Sequence, residues 1–356
     1  MSGEVVTAVP RIHRRARFVV TVVALAVATT AVCLLSLSLG QYSLRVSDII
    51  AVLLHAIGLG SGTPPEPGAV GVILEIRLPR IVLGLLVGAA LAVSGVLMQA
   101  IFGNPLADAG VVGVSSGAAV GAAASFAFGL NLLGTWTTPA LAFLGGLVAV
   151  FAVYVISRSG GRTEVVTLLL TGIAINAIAG AALAFLTFLG TTASREQIVF
   201  WQLGSLNGAL WSSIWLVAPL VLIGLVIAVC VAGRLDLFAL GERTARHLGV
   251  RVEVLRVVVI VTVAILVTAA VAFAGIIGFV GLVIPHLMRM AIGPAHLPLT
   301  ITSALAGALL LTSADLIART AVPLADLPIG MITALVGGPF FLWLLVRTRR
   351  RSGGWA

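Results

Sequence analysis

Lysine is missing altogether: all 21 basic residues of this 356-residue chain are arginine. A Walker A loop needs a lysine to reach the nucleotide phosphates, so the chain cannot hydrolyse a nucleotide through a P-loop. Schiff-base and lysine general-base chemistry are excluded with it. Charge of any kind is scarce, at 9% of residues against roughly 25% in soluble globular domains. The two cysteines, Cys33 and Cys230, each lie inside an apolar run, where they read as packing residues and say nothing of redox compartment. His, Cys and carboxylates nowhere stand together at ligand spacing, so no metal site and no cofactor bound by this chain is expected. No Ser/His/Asp or Cys/His arrangement is legible either, and an enzyme active site is not expected.

What is present is apolar: 60% of residues are hydrophobic and the mean hydropathy is +1.20. A membrane span needs about 20 largely apolar residues. Runs separated by Gly, Pro or charge give ten candidate helices, at about 18–39, 80–102, 110–131, 138–157, 165–190, 211–232, 256–274, 276–291, 299–319 and 330–346. The fold class expected is therefore an all-α polytopic membrane protein. Residues 1–17 and 348–356 read as tails around one transmembrane domain, 18–347. The first run follows an arginine cluster and lacks a cleavage site, so it reads as a retained span.

An even span count places both termini on one side, and the arginines say which. Short Arg-rich loops stay cytoplasmic. With the N-terminus inside, sixteen arginines fall on the inner face and five, Arg45, Arg77, Arg80, Arg195 and Arg319, on the outer. The net charge of +9 thus reads as membrane orientation and lipid contact, not as nucleic-acid binding.

Two loops exceed what a connection requires. The outer one, about 40–79, holds the apolar stretch Val46 to Ile57, which fits the membrane surface. In the inner one, about 233–256, polar and apolar residues alternate at helical spacing, which predicts one or two short helices across the cytoplasmic face. Glycines with small neighbours, such as Gly84, Gly88, Ala92 and Gly95, predict close helix contact in lipid. A faint likeness between the stretches ending FGNPLADAG and MAIGPAHLP reads as a trace of an internal repeat.

Local motifs each admit a structural and a functional reading. Asn104 and Asp108 in NPLADAG can cap a helix or a broken turn. Ser115 and Ser116 suit a close helix pair as well as a pore wall. Pro285 beside His286 kinks a helix. Asp315 could be an ion site, although Arg319 at i+4 would neutralise it.

Eight stretches in collinear order resemble one family, the permeases of type II ABC importers for iron-siderophore complexes, haem and vitamin B12. They are RLPR (77–80), GAALAVSGVLMQAIFGNPLADAGVVGVSSGAAVGA (88–122 by its outer bounds), LLLTGIAINA (168–177), FWQLGSL (200–206), LGERTARHLGV (240–250), GIIGFVGLVIPHLMR (275–289), ADLIAR (314–319) and LPIGMITALVGGPFFLWLL (327–345). One departure is Ala109, where the family usually has proline.

The resemblance implies a homodimer of ten-helix subunits, two cytoplasmic ATP-binding subunits that hold ATP and Mg, and an extracytoplasmic binding protein. It makes 240–250 the ATPase-coupling segment, with Leu240, Gly241, Glu242, Ala245, Arg246, Leu248 and Gly249 at the partner's groove. By the same analogy Arg158 to Thr167, including Arg162, Thr163, Glu164, Val165 and Val166, is the cytoplasmic gate. Arg77, Arg80 and Arg319 would face the binding protein, and Asn104, Ser115, Ser116 and Asn176 would line the pathway. The stretch 171–206 looks more like haem permeases than siderophore permeases, so haem is the favoured cargo over a ferric siderophore or cobalamin. The membrane would be a bacterial cytoplasmic membrane. An ion-driven secondary transporter and a membrane scaffold are the competing classes.

Overall fold

A computed structural model describes residues 11–351, apart from 41, 43, 61–65 and 160–161. Fourteen α-helices carry almost all of it: α1 (Arg11–Ser38), α2 (Val46–Ala56), α3 (Pro67–Gly71), α4 (Leu78–Phe102), α5 (Val114–Ala127), α6 (Thr137–Ile156), α7 (Val165–Leu189), α8 (Thr192–Leu203), α9 (Trp211–Phe238), α10 (Glu242–His247), α11 (Val252–Ala274), α12 (Val280–Ile292), α13 (His296–Thr320) and α14 (Ile329–Arg351). A π-helical turn, two short 3-10 turns and a two-stranded hairpin, β1 (Arg158–Ser159) and β2 (Arg162–Thr163), are the other regular elements among the described residues.

Each of the ten expected helical runs is a helix. Among the described residues seven helical stretches are long and apolar enough to cross a bilayer, while α2, α5 and α12 are shorter apolar helices and α14 is apolar from Ile329 to Trp343. Helix α12 is short because residues 275–278 run as non-helical chain and Phe279 takes a positive φ of 68°. Such backbone is tolerated at membrane depth only inside protein, and Gly275 is held there, its Cα side against the Trp201 carbonyl of α8.

The centre is α4. Its stretch from Pro67 is buried over 83% of its most apolar window and α11 over 72%, whereas α1 is buried over none of its window and α7 over 17%. Glycine makes the central contacts possible: a Cβ on Gly95 would overlap the Gly281 carbonyl of α12, and one on Gly88 the Gly307 carbonyl of α13. Without side chains between them the backbones touch, which is the small-residue packing that replaces the hydrophobic drive in lipid.

Three expectations change. The segment before residue 80 is helical from Pro67, through α3 and a π-helical turn at Val72–Arg77, so RLPR lies within a helix and not on a stiff lead-in. The outer stretch Val46 to Ile57 does form a helix, but Ile49 and Val52 are buried with Leu37, Ala69, Ile73 and Ile81 in a small core of their own. The inner loop shortens to 239–251, because α9 continues to Phe238, and it holds one short helix, α10. Helix α8, within the expected 191–210 connection, is additional; Thr191 caps it by accepting from the Ser194 amide at 3.2 Å.

Candidate functional site

The segment expected to couple to an ATPase and the segment expected to form the gate are one hydrogen-bonded unit. Helix α10 begins after Gly241 (φ 100°) and ends before Gly249 (φ 84°), two left-handed positions that turn the chain into and out of a six-residue helix. Leu240 and Leu248 project into solvent, 62% and 54% exposed, while Glu242 and Arg246 form an exposed i,i+4 pair at 3.2 Å. Ala245 behaves otherwise: it is fully buried, so it packs α10 onto its own chain and does not face a partner.

The gate segment is the β1–β2 hairpin and the start of α7. Thr163 is buried; its amide donates to Glu253 at 3.2 Å and its hydroxyl to the same carboxylate. Arg256 of α11 stands between gate and coupling helix. Its Nη1 donates to the Thr163 carbonyl at 2.7 Å, its Nη2 to Glu242, and its guanidinium lies 5.9 Å from the Phe238 ring centroid. Only 3% of that side chain is exposed, and Glu253 is a second acid, at 3.5 Å. Glu164 precedes α7 and accepts from the Thr167 hydroxyl at 3.0 Å; Val165 is half-buried and Val166 exposed. Arg162 lies in β2, and its side chain is outside the described residues.

Sequence reasoning gave site roles here to Arg246 and Arg162, read the other arginines as orientation signals, and missed Arg256 and Glu253. The available signal was an acid and a base at i,i+3 at the entry to an otherwise apolar span.

Towards the membrane interior, Ser116 of α5 donates to the Asn176 side chain of α7, whose amide nitrogen donates to the Gly110 carbonyl at 3.1 Å. Ser116 and Asn176 are therefore brought together, and they tie α7 to the turn before α5. Ser115 is half-buried beside them. Asn104 is not with them: it sits exposed in the turn after α4 and accepts from the Leu106 amide at 2.9 Å, as a turn-closing residue does. Asp108 caps the following 3-10 turn through the Gly110 amide at 2.8 Å.

At the outer face the three arginines expected to meet a docking protein are turned inward. Arg77 is 5% exposed and donates to the Leu37 and Tyr42 carbonyls; Arg319 donates to the Leu39 carbonyl at 2.9 Å and to Ser36. Arg80 pairs with Asp315 and Asp326, each at 2.8 Å, and not with Glu75. The physical reason is the orphan carbonyls at the end of α1, which guanidinium groups from α13 and the turn before α4 satisfy. Asp315 is thus shared by two cations, Arg80 and, at 3.8 Å, Arg319. His286 joins no ligand set, and among the described residues no three of His, Cys, Asp and Glu could hold a metal.

Residues 27–347 match the FecCD transport family. The chain belongs to it. The hemin transport system permease protein of Yersinia pestis is 45% identical over 284 residues, covering 79% of this chain and 85% of that protein. A cobalamin import system permease protein of Halobacterium salinarum is 37% identical over 326 residues, 86% of each. A solved metal-chelate type ABC transporter in an inward-facing conformation superposes with a TM-score of 0.80 at 33% identity, covering 92% of this chain and 98% of that one. The chain is a permease, a transport subunit.

Proposed function

We propose that this permease works in a bacterial cytoplasmic membrane as a homodimer, with both termini inside and ten spans, and imports an iron complex, haem above others. Energy comes from two ATP-binding subunits that carry ATP and Mg, and cargo from an extracytoplasmic binding protein. The observation that carries the reading is the Glu242–Arg256–Thr163 chain of bonds, which gives an engine gripping α10 a direct hold on the hairpin below α7. Exposed Leu240 and Leu248 supply the apolar grip, and Glu242 and Arg246 its polar rim. Ser115, Ser116 and Asn176 lie where a pathway along α7 would pass, and the exposed Leu170, Ile173, Ile178 and Phe185 give that helix an apolar face for the second copy. Docking of the binding protein uses the outer loops that Arg77, Arg80 and Arg319 hold, such as 39–45 and 321–327, and not the buried guanidinium groups themselves.

Haem is favoured by the 45% identity to the Yersinia pestis hemin permease. Cobalamin is the second reading, because vitamin B12 permeases reach 41% over a similar length, and a ferric siderophore the third. The carboxylate that the sequence offered an ion-driven transporter, Asp315, is held by Arg80 at 2.8 Å. The test is uptake by the chain with its ATPase and binding protein in a strain lacking its own haem, cobalamin and siderophore permeases. ATP-dependent haem uptake is expected. Uptake of a ferric hydroxamate without haem would reverse the assignment of cargo, and transport without ATP hydrolysis would end the importer reading.

A further inference from the structure

A cavity of about 1020 Å³ opens at the inner ends of α1, α4, α9, α12 and α13, well away from the outer arginines. Its charged groups are unevenly matched. Asp236 accepts from the His296 amide at 2.8 Å and pairs with the His296 ring at 2.7 Å. Glu242 is bonded to Arg246 and Arg256. Arg289 and Arg17 have no acid within ion-pair distance among the described residues. Arg289 donates Nη2 to Gln99, a neutral acceptor, at 2.9 Å, and its Nη1 is shut from solvent without an acceptor. A guanidinium held in place, largely desolvated and without a counter-ion is costly unless an anion completes it.

The walls and position of the cavity indicate which anion. Arg17 and Phe18 stand at the head of α1, a helix whose span is not buried by the rest of the chain. Ala100, Ile101, Phe102 and Ile292 line the cavity beside the guanidinium. Arg11, Arg14 and Arg15 precede the same span. Apolar walls, two guanidinium groups and a position beside a helix that the rest of the chain leaves uncovered match a phospholipid headgroup with its glycerol end, since basic pockets between spans take anionic headgroups and guanidinium binds phosphate in fork geometry.

We propose that this cavity binds the phosphate of an anionic phospholipid, with Arg289 as the principal ligand and Arg17 as the second. Naming the inner leaflet rests on the orientation proposed above; the binding does not, so lipid retention and cargo uptake can fail separately.

The experiment uses the full chain in detergent, with bound lipid read by native mass spectrometry and thermal stability measured with added phosphatidylglycerol, phosphatidylcholine or inorganic phosphate. Wild type is expected to retain and be stabilised by phosphatidylglycerol over phosphatidylcholine, with about tenfold weaker retention in Arg289→Gln, the factor expected when one charge-assisted contact is lost. Arg289→Gln keeps an amide donor for Gln99, and the exposed Arg17→Gln serves as a variant that leaves packing untouched; it should weaken retention by a smaller factor. Stabilisation by inorganic phosphate equal to that by phosphatidylglycerol, lost in Arg289→Gln, would overturn the lipid as source and leave the anion chemistry. The same retention in wild type and both variants, or no preference for the anionic lipid, overturns the proposal.

Discussion

Replacing Arg256 by glutamine should separate ATP hydrolysis from transport. In the native structure its guanidinium donates to the Thr163 carbonyl and to Glu242 while 3% exposed. A hydrogen bond from a charged group contributes about 1.5–3 kcal/mol. The Thr163 contact is buried and keeps that value. The Glu242 contact ends on a carboxylate that is 40% exposed, so screening reduces it towards about 0.5 kcal/mol. Together they join α10 to the hairpin by about 2–3 kcal/mol, which is roughly 30- to 150-fold in an equilibrium constant. In proteoliposomes holding the assembled importer, Arg256→Gln is expected to keep basal ATPase activity within about twofold and to lose at least about tenfold in cargo moved per ATP. Arg256→Lys should recover part of this, because an ammonium keeps the charge but cannot fork to two acceptors. Thermal unfolding distinguishes a loss of linkage from a loss of fold. Arg256→Gln with a wild-type ratio of transport to hydrolysis would refute the linkage.

Gly249→Val meets no neighbouring atom but must adopt φ 84°, a strain of about 1–3 kcal/mol for a β-branched residue; assembly should persist while cargo-stimulated ATPase and uptake fall together. Gly95→Ala drives a methyl into the Gly281 carbonyl and should lower the unfolding temperature and the yield of folded permease, whereas Gly233→Ala, with open space at its Cα, should leave both unchanged. Arg77→Glu with Arg80→Glu removes the bonds to α1 and to Asp315 and sets like charges together, and breaking a buried pair costs about 3–5 kcal/mol; loss of folded protein on size exclusion is expected, and a folded double mutant defective only in binding-protein capture would show that these side chains dock directly.

The helices were legible because apolar length is a strong signal and needs no partner to read it. Their edges were less so. Residues 67–79 looked like a loop because Gly68, Gly71 and Pro79 break the apolar run, yet the helix runs on through them, with the π-helical turn at Val72–Arg77 just before Pro79. Helix α8 escaped notice because its Arg195, Glu196 and Gln202 resemble connection chemistry. A short helix in this loop was legible from its alternation of polar and apolar residues, but the inward turn of Ala245 depends on packing against neighbouring helices. The arginines at the outer face show the limit best: composition placed them on that side of the membrane, but the carbonyls they satisfy lie 35 to 40 residues upstream of Arg77 and about 280 upstream of Arg319, a distance that no local pattern reports.

The glycine contacts of α4 bear on how the molecule moves. Helices that pack through side chains can shear, because rotamers give; two backbones in direct contact have nothing to deform and must travel together. Gly88 with Gly307 and Gly95 with Gly281 therefore make α4, α12 and α13 a stator. Helix α7 meets such a backbone contact at Gly172, against the Val111 carbonyl, and carries the hairpin at its foot. Under the coupling proposed above, a stroke delivered at α10 would reach α7 through the hairpin, with α4, α12 and α13 as its fulcrum.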